Sequence, residues 1–103
     1  MKVFWTETAL AQLTAAHEFI ERTSPVYAQL MVRRLWDRAG QLRDFPQSGR
    51  VISESSGREI HELLEQPYRI LYDVQPDRVR VLAVIHARRG PEAISEAASG
   101  RAT

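Results

Sequence analysis

The chain has 103 residues, 44% of them apolar and 26% charged, with a formal charge of +1, which fits one globular domain with one core. It contains no cysteine, so disulfides and thiolate metal sites are excluded and a reducing cytoplasm is the expected setting. No apolar run approaches the roughly 20 residues that span a bilayer, and the opening MKVFWTETALAQL, with its early acids, does not read as a signal peptide or imply a membrane role.

In chain order, Lys2–Trp5 is a short β-prone start, and Thr6 is placed to cap a helix with its hydroxyl. Ala9, Leu10, Leu13, Ala16, His17 and Ile20 then recur at three- and four-residue spacing, which marks one helical face. Thr23-Ser24-Pro25 interrupts the pattern, with Ser24 a suitable cap and Pro25 where proline forfeits no hydrogen bond. A second helix is predicted to about Arg43, with Ala28, Met31, Val32, Leu35, Ala39 and Leu42 on its apolar side and Gly40 as its weak point. The short break makes the two helices an antiparallel hairpin.

Phe45-Pro46-Gln47-Ser48-Gly49-Arg50 is a loop by composition. Some extended structure is expected over Val51–Ser56, ended by Gly57, followed by three β-prone runs at Glu59–Leu64, Tyr68–Val74 and Val79–Ala87. Pro76-Asp77 reads as the centre of a tight turn. The layout is α+β: an N-terminal helical hairpin on one face of a small antiparallel sheet, in a single domain over 1–103 with its core at about 2–89. The tail, 90–103, is expected to hold a weak helix over Glu92–Ala98.

Alternation assigns faces to the strand residues. Tyr68, Ile70, Tyr72 and Val74 share one side, opposite Arg69, Leu71 and Asp73. A two-residue turn pairs Gln75 with Arg78, then Tyr72 with Val81, Ile70 with Ala83 and Arg69 with Val84. Val79, Val81, Ala83, Ile85 and Ala87 then face the helices, while Arg80, Leu82, Val84, His86 and Arg88 face away. This register sets Asp73 against Arg80 as a cross-strand ion pair. It also gathers Arg69, His86 and Arg88 toward one end of the uncovered face. Arg69 either pairs with Glu62 or Glu65 of the preceding run or is open to an anionic ligand.

The basic residues are thirteen arginines and one lysine, a bias that suits bidentate contact with carboxylate or phosphate and also follows from a GC-rich coding sequence. The ordered series Trp5-Thr6, the hairpin with Ser24-Pro25, Phe45-Pro46 before Gly49-Arg50, Ile60-His61-Glu62-Leu63, YRILYDV and VRVLAVIHARR resembles the RelE/ParE toxin superfamily of type II toxin–antitoxin modules. The likeness runs from about residue 3 to 90. It implies a helical hairpin on an antiparallel sheet and an antitoxin partner that wraps the toxin. It also implies one of two targets: mRNA on the ribosome for RelE-like members, or DNA gyrase for ParE-like members.

Arg69 in YRILY and Arg88 match arginines that RelE-like nucleases use around phosphate. Glu59, Glu62 and Glu65, however, stand where nucleolytic relatives tend to carry lysines, and no tyrosine follows HARR. Cleavage of this kind needs a base, an acid and cations, and His86 is one proton carrier without an evident second. The resemblance therefore favours the ParE-like branch, with Arg69, His86, Arg88 and Arg89 as target-binding residues. As a nuclease, the alternative, the catalytic set would be Arg69, His86 and Arg88; a degenerate member that binds antitoxin without toxicity is a third reading. Bland roles compete: His86 as a hydrogen-bonded strand end, Arg88 and Arg89 as a solvated terminus.

Tyr27 and Trp36 are candidates for antitoxin contact if they lie outside the core, as part of an apolar ridge for an amphipathic helix. DNA is expected only through the antitoxin, because a chain near neutrality lacks the basic stripe of a direct binder. Three scattered histidines have no metal-ligand spacing, His17 and His61 are assigned to structure, and neither a metal nor a cofactor is expected.

Overall fold

A computed structural model describes residues 1–55 and 57–89; the expected helix over Glu92–Ala98 lies outside the described residues. These residues form β1 (Lys2–Trp5), α1 (Glu7–Glu21), α2 (Pro25–Gly40), a 3₁₀ turn (Gln41–Arg43), β2 (Arg50–Ser55), β3 (Arg58–Glu65), β4 (Tyr68–Val74) and β5 (Arg78–His86). The sheet order is β1-β5-β4-β3-β2. The meander from β2 to β5 is antiparallel, as expected, while β1 adds a parallel edge against β5, from Lys2 opposite Arg78 to Trp5 opposite Val81. The sheet is therefore mixed.

Both predicted caps form. The Thr6 hydroxyl accepts from the Ala9 amide at 3.1 Å and the Ser24 hydroxyl from the Tyr27 amide at 3.1 Å, each satisfying a donor that a helix start leaves unpaired. The helices bury Ala9, Leu13 and Ala16 from α1 and Met31, Leu35 and Ala39 from α2 against Leu63, Ile70, Tyr72, Val79, Val81 and Val84 of the sheet. Each fully buried Leu or Met contributes about 1.5–3 kcal/mol. A second apolar cluster, Ile60, Leu71, Leu82, Ala83 and Ile85, lies on the other side of the strands.

The turn at Pro76-Asp77 is as predicted, with the Gln75 amide donating to the Arg78 carbonyl at 2.8 Å. Beyond Tyr72, which pairs with Val81, the predicted register fails. Leu82 is a surplus residue, so Leu71 pairs with Ala83, Ile70 with Val84, Arg69 with Ile85 and Tyr68 with His86. A bulge of this kind puts two residues opposite one and reverses the alternation that follows.

Side chains of α1 and its cap hold the bulge. The Thr6 amide donates to the Val81 carbonyl at 3.1 Å, and its hydroxyl to the Leu82 carbonyl at 3.3 Å. The Gln12 side-chain oxygen accepts from the Val84 amide at 2.8 Å. Backbone groups that β1 stops too soon to reach are thus paired by the Thr6 cap and the Gln12 side chain. After the bulge Val84 faces the helices, and Ala83 and Ile85 face away, the reverse of the simple alternation.

Candidate functional site

The bulge divides the expected cluster. Arg69 is on the face away from the helices, with Ile85 as its neighbour on β5, whereas His86 pairs with Tyr68 on the helix-facing side. The expectation that His86 shares a surface with Arg69 is therefore corrected. The His86 ring stands edge-on to Tyr68, with centroids 5.6 Å apart. Its Nδ1 accepts from the Arg88 amide at 3.1 Å, so a neutral His86 carries its proton on Nε2. Arg88 and Arg89 follow as exposed residues. Burial raises the Tyr68 phenol above its ordinary pKa, and nearby Tyr27 raises it further.

Arg69 has the internal partner that was one of its two alternatives. Glu62 on β3, with its side chain 1% exposed, takes the Arg69 guanidinium on one side and Arg50 Nε on the other, the latter at 3.3 Å. A parallel arrangement lies further along the strands: Asp73 accepts from Arg80 at 2.8 Å, the pair expected from the turn register, and from Arg58 at 3.0 Å. Each carboxylate thus lies between two guanidiniums, with buried Leu71 between the two groups. Of these four arginines the most exposed is Arg50, at 76%.

Composition marked Phe45–Arg50 as a loop without showing how firmly the interior holds it. Tyr72, fully buried on the helix side of β4, donates its hydroxyl to the Pro46 carbonyl at 3.0 Å and accepts from the Gly49 amide at 2.9 Å. Burial raises the Tyr72 phenol, while hydrogen bonds from Gly49 and Ser48 and the charge of Arg38 lower it. The buried His61 ring stacks on Tyr72 with centroids 5.0 Å apart, and its Nδ1 meets the Gly49 carbonyl at 3.3 Å. A side chain at Gly49 would sit 2.6 Å from both the Glu62 carbonyl and the Tyr72 hydroxyl, so only glycine lets β2 begin there. At the other end of the loop Phe45 is 65% exposed.

Tyr27 and Trp36, the residues singled out for partner contact, are both exposed. They are separated by about two and a half helical turns and so lie on opposite flanks of α2. Trp36 stacks on Trp5 at 5.0 Å and, with His17, Gln29, Val32, Arg33 and Asp37, lines a groove of about 520 Å³ between the helices. Tyr27 belongs to the flank that reaches β3, where Arg38 Nε meets the Leu64 carbonyl at 3.4 Å. The two aromatics are separate contact points, not one ridge. Among the described residues no group of three or more His, Asp or Glu stands ready to hold a metal ion. No described helix is long and apolar enough to cross a membrane.

Comparison with known proteins agrees with this architecture. The profile of a family described as "ParE toxin of type II toxin-antitoxin system, parDE" matches residues 3–91. "Toxin RelE2" of Caulobacter vibrioides is 38% identical over 88 residues, covering 85% of this chain and 97% of the relative. "Putative toxin Y4kP" of Sinorhizobium fredii is 34% identical over 88 residues, covering 85% and 90% respectively. A solved structure titled "Chromosomal ParDE TA system from P. aeruginosa" superposes with a TM-score of 0.69 at 22% identity, over 84% of this chain and 95% of that one. At that identity the likeness speaks for the fold.

Proposed function

This chain belongs to the ParE toxin family of type II toxin–antitoxin systems, and on that premise we propose that it acts in the cytoplasm as a ParE-like inhibitor of DNA gyrase, neutralised by a cognate antitoxin. The observation that carries the gyrase branch is the separation of Arg69 from His86. RNA cleavage through the 2′-hydroxyl needs proton carriers and free cations converging on one phosphate. Here Arg69 is engaged by buried Glu62, and His86 is on the other side of the sheet with one ring nitrogen already occupied. The described residues around Arg69 include no second proton carrier better suited than a carboxylate held between arginines.

In this reading the chain works by binding and not by chemistry. Arg88 and Arg89, exposed just after β5, contact the target, while the Trp36 groove and the Tyr27 flank receive the antitoxin. Operator DNA is reached through the antitoxin, in keeping with a formal charge of only +1.

Purified protein added to gyrase should block supercoiling and stabilise cleaved DNA. Unimpaired supercoiling at a large excess of toxin refutes the gyrase assignment. The second reading, a ribosome-dependent mRNA endonuclease, draws on the relative named "Toxin RelE2" and on the position of Arg69 in YRILY. It predicts codon-linked cuts in a translating extract that Arg69→Ala abolishes; intact mRNA with the unmutated protein rules it out. Induced expression without antitoxin tests toxicity itself, with growth arrest expected and normal growth pointing to a non-toxic, antitoxin-binding member.

A further inference from the structure

Phe45 is 65% exposed, and it sits on a loop that buried side chains hold by its backbone. By composition Phe45-Pro46-Gln47-Ser48-Gly49-Arg50 reads only as a loop. The contacts say more. The Phe45 amide donates to the Gln41 carbonyl at 3.0 Å, and the Phe45 carbonyl accepts from Ser48 at 3.1 Å. Pro46 and Gly49 are both bound to the buried Tyr72 hydroxyl, and the Gly49 carbonyl meets His61. Leu42, fully buried, anchors the segment just before the loop. The interior thus commits a buried phenol and a buried imidazole to a segment whose apolar side chain is left in water.

The loop ends at Arg50, whose Nε is tied to buried Glu62 while the side chain as a whole is 76% exposed. The exposed guanidinium retains its fork of donors, which suits a carboxylate. Arg43, also exposed, lies on the other side of Phe45, and Asp44 is the single acid between these two arginines. An exposed aromatic and an exposed arginine on a hydrogen-bonded backbone match the residues that dominate protein interfaces. A segment that is already ordered also loses little conformational freedom on docking.

We infer that the Phe45–Arg50 loop is the element that grips the toxin's protein target, by inserting Phe45 into an apolar pocket bordered by carboxylates. This rests on the reading of the chain as a toxin acting on a protein. It goes further in naming a contact that neither the arginines after β5 nor the Trp36 groove supplies. Among the described residues Phe45 belongs to neither buried cluster, whereas the backbone at residues 45, 46, 48 and 49 is hydrogen-bonded.

The protein supplies a matched control in Phe19 of α1, which is 64% exposed. Phe45→Ala and Phe19→Ala are to be compared for growth arrest on induction, for inhibition of gyrase supercoiling, and for thermal unfolding. Phe45→Ala should need roughly 30-fold more protein for the same inhibition, with an unchanged unfolding midpoint. Phe19→Ala should match the unmutated chain. Arg50→Lys, which keeps the charge and loses the fork, should show a smaller loss in the same direction. Full activity of Phe45→Ala, or equal losses in both phenylalanine variants, overturns the inference. If the unmutated protein arrests growth without touching gyrase, the gyrase assignment falls and growth arrest decides the loop. In that case a Phe45→Ala chain that still arrests growth refutes it.

Discussion

Replacing Arg69 by alanine tests whether that arginine is first a structural cation. Glu62 is 1% exposed between Arg69, 15% exposed, and Arg50, 76% exposed. Without Arg69 the carboxylate keeps only a partner that is mostly in water. Removing one member of a buried pair costs about 3–5 kcal/mol, and the remaining Arg50 places the expected loss near 3 kcal/mol. At 4–8 °C per kcal/mol for a domain of this size, the unfolding midpoint should fall by roughly 12–24 °C. Thermal unfolding followed by circular dichroism reads this directly. The double variant Glu62→Gln/Arg69→Met removes both charges and should regain most of the loss, because replacing a whole buried pair is close to neutral. An Arg69→Ala midpoint within about 2 °C of the unmutated protein would refute the argument. So would a double variant that is less stable than the single one. The comparison also guards the functional tests, since an inactive Arg69→Ala chain is informative only beside a folded double variant.

Gly49→Ala should destabilise by about 1–3 kcal/mol through overpacking against Tyr72 and the Glu62 carbonyl. Gly40→Ala, where an added methyl meets nothing within 4 Å at the end of α2, should stabilise by about 0.5–1 kcal/mol; urea unfolding of the two variants should give opposite signs. Gln12→Ala leaves the Val84 amide without its acceptor and should cost about 1–3 kcal/mol, with faster hydrogen exchange at Val84 as the local sign. Trp36→Ala, by opening the Trp5 stack and the groove beside it, should reduce co-purification of the antitoxin while leaving gyrase inhibition intact; unchanged co-purification would remove the groove from the antitoxin interface.

Both helices, their caps and the turn at Pro76-Asp77 were legible because each has a local cause: periodic apolar residues, a hydroxyl at the first turn, a proline where no amide is needed. The register of β5 past Val81 was not. Val81-Leu82-Ala83-Val84-Ile85 is apolar at every position, so both alternations look equally buried and nothing nearby marks the surplus residue. What fixes it comes from Thr6 and Gln12, more than seventy positions away. The error carried into the candidate site, because a shift by one residue sends His86 to the opposite face. Asp73 and Arg80 were paired correctly because they lie between the turn and the bulge. Arg69 stays on the expected face, yet its bond to Glu62 takes up the cation that the nuclease reading requires. Phe45 was legible only as a loop residue and as part of the Phe45-Pro46 motif, because the residues that hold its loop, Tyr72 and His61, belong to strands distant in sequence.

The dependence of β5 on α1 sets an order of assembly. Translation delivers residues 6–12 well before residues 82–86, so the gauge is present before the strand that it measures has emerged. A circular permutant synthesised with α1 last would have to select between two equally apolar alignments without that guide. Heterogeneous products, differing in the side on which His86 comes to rest, are what such a rearranged chain should give.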